Sequence, residues 1–345
     1  MKAAFIEQHG GPEVVQIGEQ PTPEPAPGQV LLKVAACGVN WLDILVREAH
    51  TPAKISFPRI MGSEVAGTVT TLGLGVTHIA VGARMAVHPY LHCGTCEFCL
   101  AGEESVCVRG DILGLMSNGG YAEYVCVPAN SLVPIPEAVS FMDAAAVTLA
   151  TLTAWHMLIK RARLQPGERV LVLGASSGVG SAAIQIAKLA GATVIATAGS
   201  DAKLELARKL GADEVVNHTE GDIRDAVRTW TGRRGVDVVV EHVGEATFQT
   251  SVAALARNGR LVICGTTTGS NGPLNLWTLF AKQNEIIGSY GGTRAELGRV
   301  LELVGEGRLH PVIDSVVPLD QVVSAQQRLL AREQLGKIIV DVHAA

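Results

Sequence analysis

Cys93, Cys96, Cys99 and Cys107 form a C-x2-C-x2-C-x7-C run. Such tight spacing lets turns present several thiolates to one tetrahedral Zn²⁺. Four thiolates leave no position for water, so the site is closed and structural rather than catalytic. An iron–sulfur cluster could use the same residues, and a disulfide pair is the metal-free alternative. The remaining cysteines, Cys37, Cys126 and Cys264, stand apart. One tight cluster in a long chain differs from the evenly studded frameworks of small secreted domains. The reading is therefore a metal site.

A second chemical signature follows the apolar run RVLVLG. There Gly174-Ala175-Ser176-Ser177-Gly178-Val179-Gly180 leads straight into the helix-like GSAAIQIAKLAGA. Glycines allow the sharp turn and the close approach of backbone to a pyrophosphate, and the helix N-terminus offers free N–H groups and a positive dipole end. Placed between a strand and a helix, the loop is read as a dinucleotide site. An NAD site usually carries Asp or Glu at the tip of the next strand for the ribose 2′-OH. Here TVIAT ends in Ala198-Gly199-Ser200, with Asp201 just beyond as a first-turn helix residue capped by Ser200. With no carboxylate at the tip, Ser200 can donate to a 2′-phosphate and Lys203 can add charge. The expected cofactor is NADPH, with NADH less favoured and Asp201 the residue against it.

The elements that must hold these groups read differently in the two parts of the chain. Residues 1–130 show short alternating runs such as QVLLKVAACGV, EVAGTVTTLG, ARMAVHPY and YAEYVCVP, which read as strands of a partly open β-fold. From about residue 150, apolar strands alternate with helices. The strands are RVLVLG, TVIATA, EVVN, VDVVVEHV, RLVICG and EIIGSY; the helices include DAKLELARKLGA, DIRDAVRTWTG and FQTSVAALARNG. That alternation predicts a doubly wound parallel sheet with helices on both faces, an α/β fold. A helix at TRAELGRVLELVGEG follows, then strands around VIDSVVPL and KIIVDV with a helix between them.

The 345 residues suit two domains, and 48% hydrophobic against 18% charged residues makes burial easy. A net charge of −5 gives no nucleic-acid or anionic-membrane surface. The start lacks a signal-like apolar stretch, and no apolar run approaches the roughly 20 residues of a membrane span. The expectation is a soluble cytoplasmic protein acting on a small molecule.

Further motifs carry a family resemblance. They are GGPEVVQIGE, AACGVNWLDILVRE, PRIMGSEVAGTV, the four-cysteine lobe, GGYAEYVCVP, LTAWHML, GASSGVGSAAIQIAKLAGATVIAT, LGADEVVNH and LGKIIVDV. Over essentially its whole length the chain resembles the medium-chain dehydrogenase/reductase family. The resemblance implies a GroES-like β-rich catalytic domain at 1–150 and 291–345, with a structural zinc lobe at about 90–110. A Rossmann domain at 151–290 is inserted between the two segments. It also implies a homo-oligomer, dimer or tetramer.

The zinc alcohol dehydrogenases of that family hold a catalytic metal through motifs resembling G-V-C-H-T-D and G-H-E. The matching stretches here place Asn40 and Ser63 at ligand positions, and the third position falls on Leu149. Asn and Ser are poor Zn²⁺ ligands and Leu is none. Leu42 also replaces the hydroxyl of the usual proton relay. The pattern A-C-G-V-N-x-x-D-x-x-x-R instead resembles the quinone oxidoreductase branch, though Leu45 stands where Tyr is common. The implied activity is metal-free hydride transfer to an activated alkene, quinone or related carbonyl. An alcohol or aldehyde dehydrogenase and a non-catalytic, crystallin-like NADPH binder are the alternatives.

By motif position, Asn40, Ser63, Tyr90, Tyr121 and Tyr290 are the polar candidates around the substrate, with Asn40 and a tyrosine expected to orient its carbonyl oxygen. Asp43 and Glu64 are expected to hold Asn40, Ser63 or Arg47 in place. His88, His92 and His156 are considered as general acids. His92 is assigned to the cysteine lobe, and His156 to packing on a helix. Thr153 resembles the residue that contacts the nicotinamide and His218 the one that packs on the adenine. Gly265, the last residue of RLVICG, joins the glycine loop among cofactor-binding positions.

Overall fold

The computed structural model describes residues 1–344. It divides into two compact units, Met1–Leu152 with Gly292–Ala345, and Thr153–Gly291.

The first unit is built around a mixed, mainly antiparallel seven-stranded sheet. Its central strand, Gln29–Gly38, is exposed only at Lys33 and half-buried at Gln29 and Ala35, which is the burial of a strand deep in a core rather than at its rim. Glu64–Leu72 pairs with it antiparallel on one side, with Gly38 opposite Glu64 and Cys37 opposite Val65. Lys337–Asp341 pairs with it on the other side, setting Val340 opposite Cys37 and Ile339 opposite Gly38. Two segments about 300 residues apart in sequence are thus neighbours in one sheet. Helix Trp41–Arg47 follows the central strand directly. Its third residue, Asp43, accepts a 2.8 Å hydrogen bond from the backbone N–H of Asn40, which closes the first turn. Beneath the sheet lies one apolar core that includes Ile6, Leu32, Val65, Met61 and Leu132.

The second unit is a six-stranded parallel sheet. Numbering its strands along the chain, the spatial order is third, second, first, fourth, fifth, sixth. They run Arg169–Val172, Thr193–Ala198, Glu214–Asn217, Val236–Glu241, Leu255–Ile263 and Glu285–Gly288. This is the Rossmann order, and it reverses direction beside the first strand. Strands buried on both faces are apolar throughout, as in VLV and VVV, because helices cover the sheet on each side.

One element differs from the sequence expectation. FQTSVAALARNG was expected as a single helix, but the helix ends at Ala254 and the fifth strand begins at Leu255. Leu255 is drawn into register with Val236, with a bulge before Val238. Asn258 takes a left-handed φ of 59°, a conformation Asn tolerates and a helix does not. Pairing in the sheet therefore overrides the helix preference of AALA.

No single helix among the described residues is long and apolar enough to cross a membrane.

Candidate functional site

Three strands of the first unit bring a buried polar cluster together. Asn40 stands where the central strand turns into its helix, and only 8% of it is exposed. Its Nδ2 donates to the Gly38 carbonyl at 3.3 Å, and its Oδ1 accepts from Lys337 Nζ at 2.7 Å. The same ammonium donates to the Val39 carbonyl at 2.7 Å and lies 2.7 Å from Glu64 Oε2. Glu64 Oε1 in turn accepts from the backbone N–H groups of Leu149 and Ala150 at 3.1 and 2.9 Å. Gly38 is required at this crossing, because a Cβ there would sit 2.0 Å from Glu64 Oε2.

Asp43 forms the other side of the cluster. It accepts from Gly62 N at 3.2 Å and from the Tyr121 hydroxyl at 2.7 Å, besides the Asn40 N–H. Burial pushes its carboxyl up to about 6, against the opposing pull of the Tyr121 hydroxyl and the Asn40 N–H. Burial, together with the charges of Asp43 and Glu64, raises the Cys37 thiol well above its ordinary range, so Cys37 is a neutral side chain and not a nucleophile. The Tyr121 phenol is raised as well, by burial and then by Asp43.

The predicted residues fall into distinct places. Asn40, Ser63 and Tyr121 lie buried at or beside this cluster. Tyr121 donates its hydroxyl hydrogen to Asp43, so its hydroxyl is part of the internal network. Tyr90 is also buried, and its ring lies 5.7 Å from that of His88. His88 Nε2 lies 2.8 Å from the Gly292 carbonyl, and burial lowers this imidazole to about 4. A neutral ring bonded this way is no general acid near neutral pH. His92 faces Tyr90 O through Nδ1 at 3.2 Å, and His156 is buried at the start of the π-helical turn His156–Arg161. Tyr290 belongs to the second unit and is 53% exposed. Arg47 is held by neither Asp43 nor Glu64. It is fully buried, donating to Gly10 O, Gln326 and Glu48.

In the second unit, the loop after the first strand has the geometry its sequence demands. Gly174 adopts a φ of +58°. Ser177 caps the helix Gly178–Leu189, its Oγ accepting from Gly180 N at 2.9 Å. A Cβ on Gly180 would meet the Gly174 carbonyl at 2.2 Å, so only glycine lets the helix start this close to the strand. Gly178, Val179 and the half-covered loop are left at the helix N-terminus, while Ser176 is largely buried.

At the tip of the second strand, Gly199 lies against the His218 ring, close enough that a Cβ there would sit 3.2 Å from Nε2. Ser200 is exposed and precedes helix Asp201–Lys209 without spending its side chain on a capping bond. Lys203 lies in the first turn of that helix. Gly265 follows the fifth strand beside the His242 carbonyl. Thr153 is buried in the helix Ala150–Trp155.

The four cysteine sulfurs all lie within 4.8 Å of one another. The Cys96–Cys99, Cys96–Cys107 and Cys93–Cys99 separations are 3.5, 3.8 and 3.9 Å. A tetrahedron with Zn–S bonds of about 2.3 Å has edges of about 3.8 Å. The Thr95 N–H and hydroxyl, with Arg109 behind them, hold the Cys93 thiol down to about 4. The donor set fits Zn²⁺. Among the described residues it is the one group of three or more His, Cys, Asp or Glu side chains close enough to share an ion.

Two groups escaped the sequence reading. Lys337 sits in LGKIIVDV, where nothing local distinguishes it from a surface lysine; only the sheet register carries it to Asn40. His242 lies against Gly174, its Nε2 2.7 Å from Leu173 O, and burial lowers it. Beside it, Glu241 accepts from the backbone of Val243 and Gly244 and from the Thr247 and Ser251 hydroxyls, which fixes the turn after the fourth strand.

A Rossmann sheet carrying a glycine-loop helix, joined in one chain to a GroES-like unit, is the construction of an NAD(P)-dependent oxidoreductase. Residues 26–137 match the alcohol dehydrogenase GroES-like domain family, and residues 178–306 match the zinc-binding dehydrogenase family. An alcohol dehydrogenase of Geobacillus stearothermophilus is 35% identical, over 99% of this chain and 100% of its own. A quinone oxidoreductase of Rattus norvegicus is 32% identical over 99% and 97%. The crystal structure of an NAD-dependent alcohol dehydrogenase superposes with a TM-score of 0.95 at 42% identity, covering 99% of this chain and 100% of that one. The chain belongs to the medium-chain dehydrogenase/reductase family.

Proposed function

We propose that this protein is an NADPH-dependent reductase that delivers hydride to an activated alkene, a quinone or an enoyl thioester without a catalytic zinc. The observation that carries the reading is the content of the Asn40 cluster. Positions that resemble the zinc ligands of alcohol dehydrogenases hold an amide at Asn40, a hydroxyl at Ser63 and an aliphatic side chain at Leu149, whose backbone N–H binds Glu64. This donor chemistry suits hydrogen bonding to a substrate oxygen and not coordination of Zn²⁺.

A conjugated acceptor fits such a site. NADPH, when bound, supplies the hydride. Addition to the β-carbon leaves an enolate, whose charge is spread over carbon and oxygen, so one amide donor at the oxygen and a solvent proton at carbon suffice. A saturated carbonyl concentrates the full charge on oxygen and gains more from a Lewis acid. Asn40 is the donor in this reading, with Ser63 beside it. Tyr90 and Tyr121 line and stiffen its surroundings.

NADPH is favoured over NADH because the second-strand tip offers the Ser200 hydroxyl, with Lys203 one turn on and no carboxylate at the tip itself. Gly174, Ser176, Ser177, Gly178, Val179 and Gly180 would hold the pyrophosphate. His218 would pack on the adenine, and Thr153 and Gly265 would flank the nicotinamide end. The four cysteines would hold one structural zinc.

The test is a zinc determination on purified protein, followed by NADPH and NADH oxidation with an alkenal, a quinone, an enoyl-CoA and a saturated aldehyde. About one zinc per chain and NADPH-driven turnover of a conjugated acceptor are expected. Two zincs, or turnover confined to NADH with the saturated aldehyde, would sink the proposal.

A further inference from the structure

The Asn40 amide has two ends of opposite polarity, and the reductase reading needs its N–H end to face the substrate. We propose that Lys337 is the positioning residue that sets this polarity. The inference rests on the functional reading above for the identity of the substrate, but not for the geometry.

An ammonium has three N–H bonds and no acceptor. Lys337 Nζ donates to Val39 O and Asn40 Oδ1 at 2.7 Å each and forms an ion pair with Glu64 Oε2 at 2.7 Å. The ammonium therefore donates two hydrogen bonds and pairs with one carboxylate, and its side chain is 7% exposed. Only the oxygen of an amide can face such a cation, so the Asn40 side chain cannot flip. Nδ2 is forced to the other side, where one hydrogen reaches Gly38 O at a long 3.3 Å and the second remains for a ligand. The cation also draws electron density toward Oδ1, which makes the N–H a stronger donor.

The arrangement is expensive for a residue with only a packing role. A buried ion pair is often no better for stability than apolar groups of the same volume. Glu64 completes it: its Oε1 is fixed by the Leu149 and Ala150 N–H groups, and its Oε2 fixes the ammonium. Strand register sets the whole chain of contacts. Val39 N donates to Ile338 O at 2.9 Å, continuing the Gly38–Ile339 pairing by one residue and bringing Lys337 level with Asn40.

The test is a mutant cycle between Asn40→Ala and the charge-free pair Lys337→Met with Glu64→Gln. The paired variant removes both buried charges together, and the Gln oxygen still accepts from Leu149 and Ala150. This keeps the cycle usable if Lys337→Met alone does not fold. The paired variant should lose on the order of 10²-fold in kcat, with KM for NADPH within about twofold. Once Asn40 is alanine, adding the paired change should cost no more than about threefold. Independent, multiplicative losses would overturn the proposal, as would a raised KM for NADPH with kcat retained. If only a saturated aldehyde is turned over, the reductase reading fails, while the same cycle run on that aldehyde still decides the role of Lys337. A readout free of activity is the Asn40 side-chain amide resonance in asparagine-labelled protein. It should move when Lys337 and Glu64 lose their charges, and an unmoved resonance would overturn the proposal.

Discussion

At the scale of single residues, burial sets the chemistry of the Asn40 site. Asp43 has no cation in direct contact, yet it takes three donors at once, from Tyr121, Asn40 and Gly62. Desolvation nonetheless outweighs them and lifts the carboxyl from 3.8 to about 6. An acid raised in the folded state binds its proton more tightly there than when unfolded. The stability this contributes is complete below pH 3.8 and is lost as pH rises through about 6, a change of about 3 kcal/mol across that window. Replacing Tyr121 by Phe deletes the donor that opposes the rise. The decline in melting temperature should then extend to higher pH than in the parent protein, with a further loss of about 1–3 kcal/mol near neutrality because the buried carboxylate keeps only its two backbone donors. Melting curves between pH 4 and 8 measure both effects. Coincident pH profiles would show that the Tyr121 bond does not control Asp43.

At the scale of elements, the cofactor loop depends on how closely a strand and a helix approach. Gly180 cannot carry a Cβ without displacing the Gly174 carbonyl, and that carbonyl is backbone with nowhere to yield. Gly180→Ala is expected to weaken NADPH binding at least tenfold, about 1.4 kcal/mol, as read by quenching of protein fluorescence or enhancement of nicotinamide fluorescence on titration. Retained affinity would move the pyrophosphate away from this loop. The fifth strand teaches the opposite lesson about local signals. AALA has good helix propensity, but Leu255 pairs with Val236 and the helix stops one residue earlier. A propensity of a few tenths of a kcal/mol per residue is outweighed by sheet pairing and burial.

At the scale of the whole molecule, the first unit is discontinuous, and its last strand lies inside its sheet. Lys337–Asp341 is flanked by Gln29–Gly38 on one side and Ile313–Pro318 on the other. Truncation after Gly336 should therefore remove an interior strand and strip Asn40 and Glu64 of their cation. Limited proteolysis should then degrade the first unit and leave a protected fragment corresponding to 153–291. An unchanged digestion pattern would show that the strand is dispensable.

The Rossmann sheet is legible in the chain alone, because strands covered on both faces must be apolar throughout and helices between them must carry a regular apolar stripe. So are the four-cysteine lobe and the glycine loop, since thiolates spaced two residues apart and glycines at a strand–helix junction are local signatures of local geometry. The Asn40 cluster was legible in part. Motif position points to Asn40, Ser63 and Tyr121, and to Asp43 and Glu64 as supporting carboxylates. What each carboxylate supports was decided only by the tertiary structure. Glu64 holds Lys337 and the Leu149–Ala150 backbone, Asp43 holds Tyr121, and neither holds Arg47. Lys337 itself carries no local mark. Its place beside Asn40 follows from antiparallel register between segments 297 residues apart, a long-range pairing fixed by which faces of the two strands are buried.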